Sequence, residues 1–228
     1  MPNSIGHDDC HIWHFSFKDY ESEFESLTSL LSPDEHERLS KYQFDADKLR
    51  FGLSRGLLRK VLSTYADISP ESISFNLTDY KKPFIDFPLE FNVSHCKTDV
   101  VIGIAKHPIG VDIETTQDQP QALEVAKRFF SSTEYEHLKT VSEETLPDEF
   151  LHMWTQKEAI VKAIGKGVFH DLKSVEVSPL PQTKILSFHT ASETVNLWSI
   201  YPVPVTTKKA HCCCAVKGTV KKPVMMAI

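Results

Sequence analysis

Two acidic residues separated by a single position could hold a metal ion. Asp112 and Glu114 belong to the segment GVDIE at 110–114, whose apolar and β-branched residues predict a strand. Because strand side chains alternate, both carboxylates would leave the same face and repel each other. A cation between them would remove that repulsion, and oxygen ligands favour a hard ion such as Mg²⁺ or Mn²⁺. The alternative is a solvated strand end with no ligand.

A third carboxylate lies in the segment WTQKEAIVKAIGKG at 154–167. Glu158 precedes Lys162 by one helical turn, and Gly165 predicts the end of the helix. Beside Asp112 and Glu114, this pair could add a metal ligand and a cation for phosphate groups. The alternative is a surface ion pair that stabilises a helix by about 0.2–0.5 kcal/mol. We expect Trp154, one turn before Glu158, to anchor the hydrophobic core.

Basic and polar residues of the first half could also contact phosphates. Lys82 precedes Pro83 in an extended segment, and Ser94 and His95 end the predicted strand FNVSH at 91–95. Arg50 is one of several arginines along a long predicted helix. Taken singly, each of these residues is more simply explained as a solvated surface group.

The elements that would position these residues follow from hydrophobic periodicity. Alternation predicts a strand at 10–17, and an apolar stripe predicts a long helix at 45–65. Three strands are expected at 91–95, 99–105 and 109–114, and helices at 120–130 and 147–164. Later strands are expected at 173–178, 194–200 and 211–216.

Four segments of the first half resemble segments of the second half in the same order. The pairs are 32–39 with 131–138, 58–62 with 160–164, 72–75 with 174–177, and 100–106 with 211–217. This predicts an α+β fold of two similar halves, with a boundary near Pro108 and Gly110. We expect an N-terminal half at 1–107 and a C-terminal half at 108–228, the latter carrying the metal carboxylates.

Composition limits the classes of function. The chain has 228 residues, 41% of them hydrophobic, which is enough for a substantial core. A net charge of −6 gives no overall basic excess for nucleic acid, and the longest apolar runs are too short to span a membrane. Five cysteines without a zinc-like spacing, and no recognisable secretory signal, predict a reduced, cytoplasmic protein.

The segments FNVSH, GVDIE and WTQKEAIVKAIGKG, in this order, resemble the signature motifs of the 4′-phosphopantetheinyl transferases. The similarity is strongest to the larger, surfactin-synthetase-activating (Sfp-type) class, and it covers about residues 32–178. It implies transfer of the phosphopantetheine arm of coenzyme A to a serine of an acyl or peptidyl carrier protein, which releases adenosine 3′,5′-bisphosphate. It also implies an active site in the cleft between two α+β halves.

Site residues can be assigned from the matching motif positions. The resemblance implies Mg²⁺, or Mn²⁺, held by Asp112, Glu114 and Glu158, with Lys162 on the coenzyme A diphosphate. Glu158 is the candidate base for the serine hydroxyl. The resemblance further implies that four first-half residues lie along the phosphates and nucleotide, namely Lys82, Pro83, Ser94 and His95.

The sequence departs from the family pattern in one region. Related enzymes often carry basic residues in the helix that begins at 32–33, where this chain has His36 and Leu39. We therefore expect Lys82 and His95, with Arg50, to hold the 3′-phosphate. Two other functions are compatible with the same residues: an Mg²⁺-dependent hydrolase of a diphosphate compound, and an inactive scaffold. The internal repeat makes a monomer sufficient, and the sequence does not name the carrier protein.

Overall fold

The computed structural model describes residues 4–116, 121–166, 172–189 and 193–227. Gly167, the last residue of the segment at 154–167, lies outside these ranges. The strands are β1 (Cys10–Ser16), β2 (Asn76–Leu77), β3 (Pro83–Phe84), β4 (Glu90–His95), β5 (Asp99–Ala105), β6 (Ile109–Thr115), β7 (Val175–Val177), β8 (Ile185–Phe188), β9 (Trp198–Pro202), β10 (Ala210–Lys217) and β11 (Val224–Met226).

The helices are α1 (Phe17–Tyr20), α2 (Phe24–Thr28), α3 (Pro33–Ser40), α4 (Asp45–Ala66), α5 (Ala122–Phe129), α6 (Ser132–Thr140) and α7 (Leu146–Ile164). Short 3₁₀ turns cover Glu21–Glu23, Pro70–Ser72, Leu172–Ser174 and Val195–Leu197. The mixture of helices and sheets makes this an α+β protein, as the sequence predicts. The periodicity placed β1, α4, β4, β5, β6 and α7 within about two residues of their observed ends.

The first sheet has four strands in the order β11-β1-β5-β4. Strands β1, β5 and β4 are antiparallel neighbours, and β11 runs parallel to β1. One face of this sheet packs on α4, whose buried stripe includes Leu53, Leu57 and Leu62. The opposing sheet side chains include Trp13 and Phe91. This apolar layer fixes α4 and the end of β4, which carry Arg50 and His95.

The second sheet has the order β6-β10-β9, with antiparallel pairing throughout. Its core packs on α7, where Phe150 and Ile160 are fully buried. Trp154 is partly buried and its ring stacks on those of Phe130 and Phe150, so it is the core anchor that the sequence predicts. The cysteine run lies on β10, with Cys213 toward α7 and its two neighbours toward the opposite face.

A third apolar cluster joins the two sheets. It includes Ile12 and Val101 from the first sheet and Val111, Ile113 and Cys214 from the second. The order of layers is therefore helix, sheet, sheet, helix, with β4 and β6 close together. All five cysteines are buried free thiols.

Candidate active site

Gly110 sets the distance between β6 and α7. A Cβ atom at this position would lie 2.0 Å from the carbonyl oxygen of Ala159 and 2.5 Å from the amide nitrogen of Ala163. No side chain fits against backbone at that distance, so only glycine lets the strand approach the helix this closely. Asp112, two residues along β6, is thereby brought to the face of α7 that carries Glu158 and Lys162.

Lys162 forms an ion pair with Asp112 of β6. It is therefore more than a surface partner of Glu158 on its own helix. Its Nζ atom lies 2.5 Å from Oδ1 of Asp112, a side chain that is only 2% exposed. Burial alone would lower the pKa of Lys162, but the carboxylates of Asp112, Glu158 and Glu114 outweigh that effect and raise it. Lys162 is therefore a charged group held in an acidic, largely dry environment.

Glu158 is 5% exposed and faces the same group of charges. Burial, reinforced by the negative charge of Asp112, raises the pKa of Glu158 to about 7, and Lys162 partly offsets this increase. A carboxyl group with such a pKa can exchange a proton near neutral pH. Glu114 is half-buried on the same strand face as Asp112, opposite His211 of β10.

The acidic group has the donor chemistry for a divalent metal. Oδ2 of Asp112 is buried and has no hydrogen-bond partner within the described residues. An unsatisfied buried carboxylate oxygen beside a carboxyl group of raised pKa is what a hard cation would relieve. Within the described residues, the three carboxylates do not all lie within 4.8 Å of one another. Their oxygen donors nevertheless fit Mg²⁺, a hard cation that prefers carboxylates.

The segment FNVSH connects the two sheets through side chains. Oδ1 of Asn92 accepts a hydrogen bond from the amide of Val111 at 2.9 Å, and Oγ of Ser94 accepts one from the amide of Ile113 at 3.3 Å. The two side chains are two residues apart on β4, and their partners are two residues apart on β6. Asn92 thus aligns β4 with β6, a role that the sequence analysis missed.

Ser94 also organises the charged pair. Its hydroxyl donates to Oδ1 of Asp112 at 2.9 Å and accepts from Nζ of Lys162 at 3.1 Å. Ser94 is buried and touches both members of the pair. It therefore positions Asp112 and Lys162 in the structure described.

Lys82 and Pro83 line a pocket together with Lys162. The other lining residues are Tyr80, Lys81, Asn92, Val161 and Gly165. Nζ of Lys82 donates to the carbonyls of Ile109 and Ala163, at 3.2 and 3.4 Å, and burial lowers its pKa although Glu90 partly compensates. Gly165 ends α7 with a φ of 74°, and a Cβ there would lie 3.1 Å from Cδ of Lys82.

Arg50 and His95 line a different pocket, which the side chain of Lys82 does not reach. This pocket also includes Arg38, Arg55 and Lys97. Desolvation, and then the charges of Arg50 and Lys162, lower the pKa of His95, although part of its surface is open to solvent. Helix α3, in which the sequence analysis noted His36 and Leu39, thus supplies Arg38 to this pocket. The sequence analysis did not consider Arg38. The available signal was the basic side chain itself, within the segment at 32–39.

Two family models match this chain. The model described as 4′-phosphopantetheinyl transferase, N-terminal, matches residues 16–107, and the 4′-phosphopantetheinyl transferase superfamily model matches residues 108–216. None of the helices in the described ranges combines the length and apolar character that a bilayer crossing requires.

Three curated relatives cover most of the chain. The 4′-phosphopantetheinyl transferase gsp of Aneurinibacillus migulanus is 30% identical over 93% of this chain and 82% of its own length. Sfp of Bacillus subtilis is 37% identical over 69% of this chain and 70% of its own, and HetI of a Nostoc species is 32% identical over 76% of each. The chain belongs to the 4′-phosphopantetheinyl transferases of the Sfp type.

Proposed function

We propose that this chain transfers the 4′-phosphopantetheine arm of coenzyme A to a serine hydroxyl of an acyl or peptidyl carrier protein. The serine oxygen forms a new bond to the β-phosphorus of the diphosphate, and the bond from that phosphorus to the bridging oxygen breaks. Adenosine 3′,5′-bisphosphate leaves. The observation that carries the proposal is the cluster of Asp112, Glu158 and Lys162, in a chain of this family.

Asp112, Glu114 and Glu158 are the residues we assign to Mg²⁺, with Mn²⁺ as a substitute. When bound, the ion would neutralise charge on the diphosphate. Oδ2 of Asp112 supports this assignment because it is buried without a protein partner in the described ranges. Lys162 lies beside these carboxylates, so its ammonium group can bind the diphosphate and stabilise the departing oxygen.

Glu158 is our candidate to accept the proton of the serine hydroxyl. Its burial beside Asp112 and Lys162 supports this role, although bound Mg²⁺ would lower its pKa from the value of about 7 in the free protein and make it a weaker base. Phosphoryl transfer depends mainly on positioning and charge stabilisation, so the proton transfer assists the reaction and does not dominate it. Ser94 would keep Asp112 and Lys162 aligned for the diphosphate.

The two pockets divide the remaining parts of coenzyme A. We place the nucleotide against Lys82 and Pro83, in the pocket that also contains Lys162. We place the 3′-phosphate in the basic pocket of Arg50 and His95, where Arg38 adds a further guanidinium group. An arginine cluster suits a phosphate because the guanidinium group donates paired hydrogen bonds.

We also propose that residues 1–107 and 108–228 are two related halves with the site in the cleft between them. Matching contacts support the relation. Glu35 in a capping box with Ser32 is buried against Arg55 and Arg59 of α4. Glu134 in a capping box with Ser131 is buried against Lys157 of α7.

Other features of the proposed repeat support it unequally. The segment at 72–75 consists of the last residue of a 3₁₀ turn followed by a loop, whereas the matching segment at 174–177 contains strand β7. This pair of segments therefore matches in sequence but not in secondary structure. A cleft site is supported by Ser94 of the first half, which contacts Asp112 and Lys162 of the second. Such a site would be complete in a monomer. Five unpaired cysteines support a cytoplasmic location.

The decisive experiment incubates the protein with coenzyme A, Mg²⁺ and a panel of apo carrier proteins from fatty acid, polyketide and nonribosomal peptide synthesis. Intact mass should increase by one phosphopantetheine group on at least one carrier. A carrier with its acceptor serine replaced by alanine is the matched control. Cleavage of coenzyme A without a modified carrier would favour the hydrolase. Mg²⁺-dependent binding of coenzyme A without either reaction would favour the scaffold.

A further inference from the structure

A cluster of three potential metal ligands lies outside the candidate active site. His7 and Asp8 belong to the N-terminal turn, and His107 follows β5 at the junction with β6. One ligand atom from each residue lies within 4.8 Å of the other two. The proposed transfer reaction uses none of these residues.

The contacts of His7 compete for a single atom. Its Nδ1 lies 2.9 Å from Oδ1 of Asp8 and 3.3 Å from Nε2 of His107. A ring nitrogen has one in-plane position, occupied either by a proton or by a lone pair. Nδ1 therefore cannot donate to Asp8 and accept from His107 at the same time. A cation placed among the three ligand atoms would instead be coordinated by a lone pair from each of them.

The distances are close to those around a tetrahedral zinc ion. Zn–N bonds of about 2.0–2.1 Å place two neighbouring ligand atoms about 3.3–3.4 Å apart. The distance between His7 and His107 matches this separation. The rings meet edge to face, with an interplanar angle of 84°. The side chain of Asp8 is exposed, so it can rotate to complete the set of ligands.

The backbone that carries the three ligands is held in place. The amide of Asp9 donates to the carbonyl of Gly6, and a carboxylate oxygen of Asp9 accepts from the amide of Gly6. The carbonyl of Asp8 accepts from the amide of Lys221 at 2.8 Å. The N-terminal turn is thus attached to the C-terminal segment before β11. A metal would therefore meet His7 and Asp8 on a backbone that is already held in place.

We propose that His7, Asp8 and His107 form a surface binding site for a late first-row divalent cation, best matched by Zn²⁺. The two imidazoles are borderline ligands that favour Zn²⁺ over Mg²⁺, and a carboxylate can bind either ion. A water molecule completes the tetrahedron. The ion clamps the N-terminal turn to the β5–β6 junction, and with it fixes the start of the strand that carries Asp112.

The test uses the full chain without a histidine tag, in excess Mg²⁺ so that the carboxylates of the candidate active site are occupied. Zn²⁺ alone is titrated by calorimetry, and Co²⁺ by its visible absorption. We expect one equivalent of tightly bound Zn²⁺, a Co²⁺ spectrum of tetrahedral type, and a higher melting temperature with Zn²⁺.

Matched variants locate the site. His7→Ala, His107→Ala and Asp8→Asn should each weaken Zn²⁺ binding by about tenfold or more, because each removes a ligand. All three positions are outside the buried core, so the variants should fold. His36→Ala, at an exposed histidine elsewhere, and Asp112→Ala should leave Zn²⁺ binding unchanged. The proposal is overturned if the wild type binds no Zn²⁺ in excess Mg²⁺, or if His107→Ala binds it equally well.

Discussion

The ammonium group of Lys162 lies 2.5 Å from Oδ1 of Asp112, and this ion pair joins α7 to β6 at the candidate active site. Ser94 completes a triangle with both groups. Lys162 therefore has two roles to separate by experiment: it compensates a buried carboxylate in the free protein, and it would bind diphosphate in the complex.

Lys162→Met should lower both stability and rate. The buried carboxylate of Asp112 would lose its cation, which we expect to cost about 1–3 kcal/mol in the free energy of unfolding. A surface pair would cost only a few tenths. Urea denaturation measures the first effect and kcat/KM the second. Addition of Mg²⁺ should restore part of the stability, because the ion would replace the lost positive charge. A variant with normal denaturation and normal kinetics would contradict both roles.

Asp112→Asn should keep the fold and lose the reaction. The amide oxygen can still accept from Ser94, but the metal loses an anionic ligand and Glu158 loses a repelling neighbour. We expect turnover to fall by about 10²–10³. Stabilisation by Mg²⁺ in a melting experiment should disappear with it. Asp45→Asn, at a fully exposed carboxylate at the start of α4, is the control. Full activity in folded Asp112→Asn would exclude this metal assignment.

Gly110→Ala tests the close contact between β6 and α7. The added Cβ would overlap the backbone of Ala159, which cannot move without displacing the helix. Overpacking of this kind costs about 1–3 kcal/mol, and more where backbone is displaced. We expect a large decrease in melting temperature. Gly6→Ala is the control, since the atoms nearest its new methyl group belong to the side-chain carboxylate of Asp9 and not to the backbone. If both substitutions lowered the melting temperature by the same small amount, Gly110 would not be needed for the close contact between β6 and α7.

The lowered pKa of His95 predicts a pH dependence of stability. The folded state binds a proton less readily than the unfolded state, whose histidine has a pKa of about 6.5. The unfolded state therefore gains protons first, and stability decreases as pH falls below about 6.5. His95→Gln should reduce this decrease, measured as the difference in urea midpoint between pH 7.5 and 5.5. An unchanged slope in His95→Gln would contradict the prediction.

The sequence predicted the elements that carry the site because each has a clear period. Strand β6 and helix α7 were located within two residues, and with them Asp112 and Glu158. Contacts between distant segments were harder to predict. The pairing of Asn92 with the backbone of β6 requires two strands from different sheets to meet at their edges, which no local pattern encodes. Strand β11 was also missed. Val224–Met226 is too short to show a period, and its partner β1 lies at the other end of the sequence.

The last prediction concerns how the 3′-phosphate of coenzyme A is held. The sequence analysis assigned it to Lys82, His95 and Arg50 together, but the structure places Lys82 in pockets that Arg50 and His95 do not line. Nζ of Lys82 is directed to the carbonyls of Ile109 and Ala163. A residue in the basic pocket should therefore discriminate between coenzyme A and dephospho-coenzyme A, whereas Lys82 should affect both donors.

The measurement is kcat/KM for both donors at one ionic strength. Arg50→Ala should narrow the preference for coenzyme A, because it removes a cation from the phosphate pocket without touching the diphosphate. Arg38→Ala should act in the same direction, and the two effects should not be additive if both groups bind one phosphate. Lys82→Ala should lower kcat/KM equally for both donors. If Lys82→Ala instead narrows the preference and Arg50→Ala does not, the 3′-phosphate lies in the pocket of Lys82 and Pro83, and our division of coenzyme A between the two pockets must be reversed.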